Sequence, residues 1–353
     1  MFRTYIRFTV RLFSFVVCLL FQFQLLCFAS SKVEILEPVI QFSFGSCNKE
    51  TLPQPLWTAL TAIKPQFYIW MGDAIYGDTR DPKILKEKFQ IQLHQPDYAH
   101  FIQKTPIIGT WDDHDYGKNN AGRKWRFKEI AQHYFLDFIG EPPVSSRRQQ
   151  KGIYTSYLMG PPGEQIKIIL LDTRYHKSDA DDVPDDILGE QQWQWLEREL
   201  KTSPAQAHFL VSSFSVLSPS LAGGEQWIDF SNSWERFNAI LKRTHPKGFA
   251  ILTGDRHFGG MLTRKLEDGY TYYELMSSGL THVAKSVVKS VLQQIYGKEN
   301  TLFERNFGRI KIDWGQSGRI KQMEFSLHSD STMTRPAWTR VFALNNDNWV
   351  LQQ

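Results

Sequence analysis

The run Pro106-Ile107-Ile108-Gly109-Thr110, followed at once by Trp111-Asp112-Asp113-His114-Asp115, decides how this chain folds. A short apolar stretch that ends in consecutive ionisable side chains has the form of a buried strand whose carboxyl end meets solvent. Such groups cannot all be buried unpaired, because each desolvated charge costs several kcal/mol or neutralises. An exposed, solvated acidic run is the competing reading. Position weighs against it, since the carboxyl ends of strands are where open α/β sheets hold their ligands.

The same pattern recurs on both sides. Residues 39–45 alternate with the period of a strand and end in Gly45-Ser46-Cys47-Asn48. Phe67-Tyr68-Ile69-Trp70-Met71 is a continuous apolar run ending in Gly72-Asp73-Ala74-Ile75-Tyr76. Between these lie helical spacings at 55–63, with Leu56, Ala59, Leu60 and Ile63 on one face, and at 82–103, interrupted near Pro96. Downstream, 124–138 reads as a helix, 152–158 and 165–172 as an adjacent strand pair, and 179–186 as an acidic loop. Helices at 189–201 and 233–243 alternate with strands at 208–213 and 248–253, the latter ending in Gly254-Asp255-Arg256-His257. Residues 270–276 alternate like a strand, and from Ile310 short strand-like pieces alternate with turns. Strand–helix–strand order with chemistry-bearing strand ends predicts an α/β (α+β) fold. With no linker and no repeat, one domain over residues 30–353 is expected.

Residues 1–29 read as a secretory signal peptide: Arg3, Arg7 and Arg11 precede an apolar run from Leu12 to Phe28, with Cys27-Phe28-Ala29 near a cleavage point. A secreted or periplasmic protein is expected, an uncleaved membrane anchor being the alternative. Without those arginines the net charge of +4 falls close to neutral, which argues against stable nucleic-acid binding. Membrane contact is expected only through the signal segment or a lipid-like substrate. Of Cys18, Cys27 and Cys47, the first two lie in the leader. The remaining lone thiol then needs burial or a metal to persist.

Taken together, the strand ends supply Cys47; Asp73 and Tyr76; Asp112 to Asp115; Arg174; and Asp255 with His257. Singly, each has a plain structural explanation: a buried small thiol, a core tyrosine, a turn, a salt-bridged loop. As a set they form a mixed thiolate, phenolate, carboxylate and imidazole ligand group for metal. Two ions close together clamp the attacking and leaving oxygens of a displacement at phosphorus, with Asp73 placed to bridge them. His114 and Arg174 would then hold phosphoryl oxygens, His114 protonating the leaving group. His94, His100, His133, His245 and His328 read as structural.

Phe44-Gly45-Ser46-Cys47, Gly72-Asp73-Ala74-Ile75-Tyr76, Trp111-Asp112-Asp113-His114-Asp115, Leu171-Asp172-Thr173-Arg174, Gly254-Asp255-Arg256-His257 and Tyr273-Glu274-Leu275-Met276-Ser277-Ser278-Gly279 together resemble the alkaline phosphatase D (PhoD-like) family of the metallophosphoesterase superfamily. The resemblance implies a four-layer βαββα sandwich. It also implies Fe(3+) held by Cys47, Asp73, Tyr76 and His257, and Ca(2+) held by Asp73 as bridge, Asp113 and Asp255. His114 corresponds to the superfamily histidine that meets the substrate phosphate. Asp112 and Asp115 are expected to orient these groups from behind, with Asn119 and Asn120 adding oxygens nearby. Two departures stand out: Asp115 replaces a glutamate common in relatives, and the leader lacks twin arginines.

The expected activity is a secreted, metal-dependent phosphoesterase in which a metal-bound hydroxide attacks phosphodiesters or phosphomonoesters in line. The alternatives are a phospholipase-type phosphodiesterase using Trp125 and Trp227 as a surface platform, and a secreted protein that binds metal without turnover.

Overall fold

The computed structural model describes residues 33–179, 181–220 and 224–352. The expected signal peptide, with Cys18 and Cys27, lies outside the described residues. The chain opens with β1 (Gln41–Gly45), α1 (Leu56–Ile63), β2 (Tyr68–Met71), α2 (Pro82–Leu93), α3 (Pro96–Ile102), β3 (Ile107–Thr110), α4 (Asp113–Tyr116) and α5 (Lys128–Phe138). It continues through β4 (Thr155–Met159), β5 (Ile166–Leu170), α6 (Glu190–Lys201), β6 (Ala207–Ser212), α7 (Ser231–Thr244) and β7 (Phe249–Thr253). Next come β8 (Gly259–Lys265), β9 (Thr271–Ser277), α8 (Ser286–Tyr296), β10 (Thr301–Leu302) and β11 (Asn306–Trp314). The described chain closes on β12 (Ile320–Ser329), β13 (Pro336–Asn345) and β14 (Asn348–Leu351).

Two seven-stranded mixed sheets result. The first runs β14-β13-β12-β11-β1-β2-β3, the second β10-β8-β9-β7-β6-β5-β4. In each, the strands that feed the polar loops are parallel: β1, β2 and β3 in one, β5, β6, β7 and β9 in the other. Parallel strands put their carboxyl ends on the same edge, so all these loops emerge on one side of their sheet.

The period-2 pattern explains the layering. In β2, Ile69 and Met71 enter the core between the sheets, where Phe42 stacks on Phe67 at 4.9 Å and meets Phe209 of β6 edge-on at 5.1 Å. Tyr68 and Trp70 face the other way, into the aromatic layer of Trp57, Tyr98 and Phe101 supplied by α1 and α3. Across the molecule, Ile169, Leu210 and Ile251 pack under Trp193 and Leu196 of α6 and Phe237 of α7. Helix, sheet, sheet, helix is the expected four-layer sandwich. Among the described residues no helix is long and apolar enough to cross a membrane.

Three elements differ from expectation. The C-terminal strands are not short pieces: β11, β12 and β13 span 9, 10 and 10 residues and extend the first sheet beside β1. Strand β8 begins with paired glycines, which carry no strand signal. Helix α8 is rich in β-branched valines, which read poorly as helix, and several of them are exposed.

Candidate active site

The site forms where the carboxyl ends of β1, β2 and β3 face those of β7 and β9. Cys47 follows β1 by two residues and Asp73 follows β2 by two; Asp255 and His257 follow β7. All four hold left-handed backbone conformations, with φ of +60°, +50°, +69° and +58°. Such conformations cost non-glycine residues about 1–3 kcal/mol each, and they persist only where surrounding contacts impose them. The contacts are visible: Asn48 N donates to Asp73 O at 2.8 Å, and Leu280 N reaches across from β9's end to Ser46 O at 3.1 Å. Two glycines permit the closeness. A Cβ on Gly72 would lie 2.5 Å from Asp112 Cβ, and one on Gly254 would lie 2.4 Å from Ser46 Oγ.

Three overlapping groups of ligand atoms result, each lying within 4.8 Å of one another: Cys47, Asp73 and His257; Asp73, Asp113 and His114; Asp73, Asp112 and Asp255. Asp73 belongs to every one of them. A fourth acidic group, Asp179, Asp181 and Asp182, is more exposed and engaged with Arg123 and Lys124. Tyr76 Oη sits 3.0 Å from His257 Nε2. The Cys47 thiol is fully buried and free of any disulfide among the described residues; it lies 3.1 Å from Ser278 Oγ and 3.6 Å from Asp73 Oδ2.

The electrostatics describe a cluster short of positive charge. Burial, reinforced by neighbouring acidic groups, pushes Asp73 and Asp112 well above the carboxylate range. Asp255 is pushed up to about 6 and Asp115 to about 7, in both cases chiefly by burial. The Cys47 thiol is raised by burial as well. Asp73 Oδ1 and Asp112 Oδ2 are buried without a hydrogen-bond partner. Buried polar atoms in folded proteins nearly always have one. A bare oxygen on each of two adjacent buried carboxylates, beside a thiol and an imidazole, fits bound metal cations, which supply the missing charge.

The supporting residues sort differently from expectation. Asp115 is structural: it accepts from Ile75 N and Asp112 N, tying the β2 and β3 loops together. Asp112 does more than stand behind the site, because its Oδ1 holds Arg174 and Ser213 while its Oδ2 is buried and bare, and the residue joins Asp73 and Asp255 in one ligand group. Asp113 accepts from His114 N and from Asn120 N. Asn119 and Asn120 are exposed, and Asn120 contributes a backbone N–H to Asp113 Oδ2. Arg174 is a correction. It is fully buried, with Nε on Asp112 at 2.6 Å and Nη1 on Glu225 at 2.5 Å, and therefore does not reach a phosphate in the cleft. It positions Asp112 instead. Trp227 is likewise no surface platform: it is fully buried, donating to Ser212 Oγ, while Trp125 is partly buried.

Sequence reasoning missed Asp78 and His282. Asp78 Oδ1 lies 2.8 Å from His114 Nδ1, which leaves the Nε2 edge for a substrate. Burial pulls the His114 pKa down, but the Asp78 hydrogen bond and the charges of Asp113, Asp78 and Asp112 outweigh it and push it up to about 9. Asp78 lay within reach of reasoning, two residues beyond Tyr76 on the same loop. His282 Nε2 lies 2.9 Å from Tyr76 Oη, and burial lowers its pKa to about 4. The rule that found the other strand ends, carried three residues past Gly279, would have found it.

The fold agrees with comparisons to known proteins. The family profile described as "PhoD-like phosphatase" matches residues 42–321. A solved structure titled "Structure of PhoD" superposes with a TM-score of 0.72 at 15% identity, covering 92% of this chain and 73% of that one. The purple acid phosphatase PPD1 from yellow lupin (Lupinus luteus) seeds follows with a TM-score of 0.56 at 10% identity, covering 89% of this chain and 55% of its own length. No curated protein sequence matches. A match over most of the chain, running through every strand end that builds the cleft, shows that the chain belongs to the PhoD-like phosphatase family and is a phosphoric-ester hydrolase.

Proposed function

We propose that this protein is an exported, metal-dependent phosphoesterase with a preference for phosphodiesters, and that its metals are Fe(3+) and Ca(2+). The observation that carries the metal dependence is Asp73: buried, strained, bare at Oδ1 and common to every ligand group in the cleft. Cys47, Asp73, Tyr76 and His257 would hold the iron, since thiolate, phenolate and imidazole suit a transition metal. Asp73, Asp113 and Asp255, with the bare oxygen of Asp112 beside them, would hold the hard calcium ion. When bound, the ions supply Lewis acidity toward the phosphoryl oxygens and a nucleophile generated from water at neutral pH.

The chain's own residues do the rest. Asp78 accepts from His114 Nδ1–H and keeps the imidazole charged, so that Nε2–H can give its proton to the departing alkoxide oxygen. The Asp112–Arg174–Glu225 network ties the loop after β3 to the loops after β5 and β6. Because Arg174 is engaged there, His114 is left to meet the phosphate charge from the rim. A single imidazolium suits a diester monoanion better than a monoester dianion. This favours phosphodiesters.

The test assays purified protein with bis-p-nitrophenyl phosphate and p-nitrophenyl phosphate, with and without chelator, alongside metal analysis. Chelator-sensitive release with the diester faster is the expected result. Equal rates with chelator would remove the metal dependence, and a faster monoester would remove the substrate preference. Iron is read separately: a ferric phenolate gives a visible charge-transfer band, and Tyr76→Phe should abolish it in a folded protein. A colourless, fully active enzyme containing only zinc or calcium rules out the iron assignment. Export is checked by N-terminal sequencing of the mature protein, expected to begin near residue 30.

A further inference from the structure

We propose that His282 is a positioning residue for Tyr76, donating its Nε2–H to the phenolic oxygen and so holding that oxygen toward the metal site. The proposal rests on the reading above for what the oxygen faces, but its geometry stands on protein atoms alone. Tyr76 Oη lies between two ring nitrogens, His257 Nε2 at 3.0 Å and His282 Nε2 at 2.9 Å. The phenol carries at most one proton. Two close contacts to two lone-pair nitrogens cannot both be hydrogen bonds, so at least one imidazole must donate. His257 belongs to the ligand group with Cys47 and Asp73, and a ligand offers its lone pair. The donor is then His282.

The far edge of the His282 ring favours the same tautomer. Thr281 Oγ1 lies 3.0 Å from His282 Nδ1 and accepts from Lys49 N at 2.8 Å. Its one proton has two possible acceptors, the Cys47 carbonyl at 3.3 Å and His282 Nδ1. The carbonyl already receives Thr281 N at 3.3 Å. Given to Nδ1, the hydroxyl proton makes Nδ1 an acceptor and places the ring hydrogen on Nε2. The chain Lys49 N–H, Thr281 O–H, His282 Nε2–H then points every donor toward Tyr76, with each group satisfied. His282 and His257 meet edge to face at 4.5 Å, so each ring helps hold the other in place beside the phenol oxygen. Outer partners of this kind orient ligating groups, and their loss typically costs about 10- to 100-fold in activity or metal affinity.

Histidine-ring nitrogen NMR on the full-length protein reads the tautomer directly, in chelator-treated and in zinc-reloaded samples, with the His282 signal assigned by its loss in His282→Gln. The Nε2–H form in both samples is expected; the Nδ1–H form in either overturns the proposal. A second readout uses two variants. His282→Ala should lower kcat about 10- to 100-fold with the full metal complement retained, and shift any visible phenolate band to lower energy. His282→Gln, whose amide can still donate, should restore most of both. Loss of a metal ion in His282→Ala would make the residue a ligand and overturn the positioning role, as would equal effects of the two variants. If the wild-type protein is colourless or insensitive to chelator, the metal reading fails while the tautomer measurement still decides this one.

Discussion

Asp73 and Glu274 are both carboxylates with almost no solvent exposure, one in each half of the sandwich, and their surroundings differ in kind. Glu274 sits within β9 and is saturated: Ser215 Oγ and Thr253 Oγ1 donate to Oε1, Val216 N and Leu217 N to Oε2. It organises the loop after β6 using protein donors alone. Asp73 sits past the end of β2 with a left-handed backbone, one weak thiol contact and one bare oxygen. Burial raises the pKa of both. Glu274 has nearby donors that work against the rise, whereas Cys47, Asp112, Asp113 and Asp115 around Asp73 all add to it. A satisfied buried acid stabilises the fold, and an unsatisfied one in a strained backbone marks a place where an external cation completes the structure.

The sharpest way to break this contrast is Asp73→Asn. It should remove both metals together and lower kcat by more than about 1000-fold. The chelator-treated variant should nevertheless be more stable than chelator-treated wild type by about 1–3 kcal/mol, because an unpaired buried carboxylate has gone. Loss of one metal only would place the bridge elsewhere, and a less stable metal-free variant would mean Asp73 is already satisfied by protein.

The same contrast predicts an unusual pH dependence. Asp255 and Asp115 are raised to about 6 and about 7, so between pH 4 and 7 the folded state holds protons that the unfolded state has released. Stability of the metal-free protein should therefore fall as pH rises through that window, by on the order of 7 kcal/mol for the two groups together. Metal-loaded protein should lack this slope, since bound cations replace the protons. Denaturant midpoints measured from pH 4 to 8, with and without chelator, test it; parallel curves would contradict it. Glu274→Leu is the complementary perturbation. It strands the amides of Val216 and Leu217 and should cost about 2–3 kcal/mol by chemical denaturation, with metal content unchanged.

How much of this was legible follows from range. Cys47, Asp73, Tyr76, Asp113, Asp255 and His257 were visible because each lies a few residues beyond an apolar run, and strand ends of parallel sheets converge whatever the loops do. The layering was legible for the same reason, in the alternation of Ile69 and Met71 against Tyr68 and Trp70. Arg174 was misread because the sequence shows a charge but not its partner: Glu225 lies 51 residues away and meets it only in the folded chain. Trp227 was misread likewise, since its burial depends on α6 and α7 closing over it. His282 lies three residues past Gly279, beyond the strand end itself, and its meeting with Tyr76, 206 residues away, forms only in the folded chain.

The smallest of the predicted effects concerns Asp78, which tests whether this acid works through its histidine partner. Asp78 is about half exposed, so its pair with His114 is weak as a stabiliser and matters for what it does to the imidazole. A histidine whose folded pKa is raised to about 9 stays protonated across neutral pH, and the benefit disappears as pH rises through that value. Asp78→Asn keeps an acceptor for Nδ1–H but removes the charge. It should lower kcat about 10-fold with KM little changed, and move the alkaline limb of the kcat–pH profile downward, toward the ordinary histidine value near 6.5. His114→Asn should fall further and lose that limb altogether. If Asp78→Asn instead raised KM with kcat and its pH profile intact, the pair would be holding substrate or loop, and the proton at the leaving oxygen would have to come from elsewhere in the cleft.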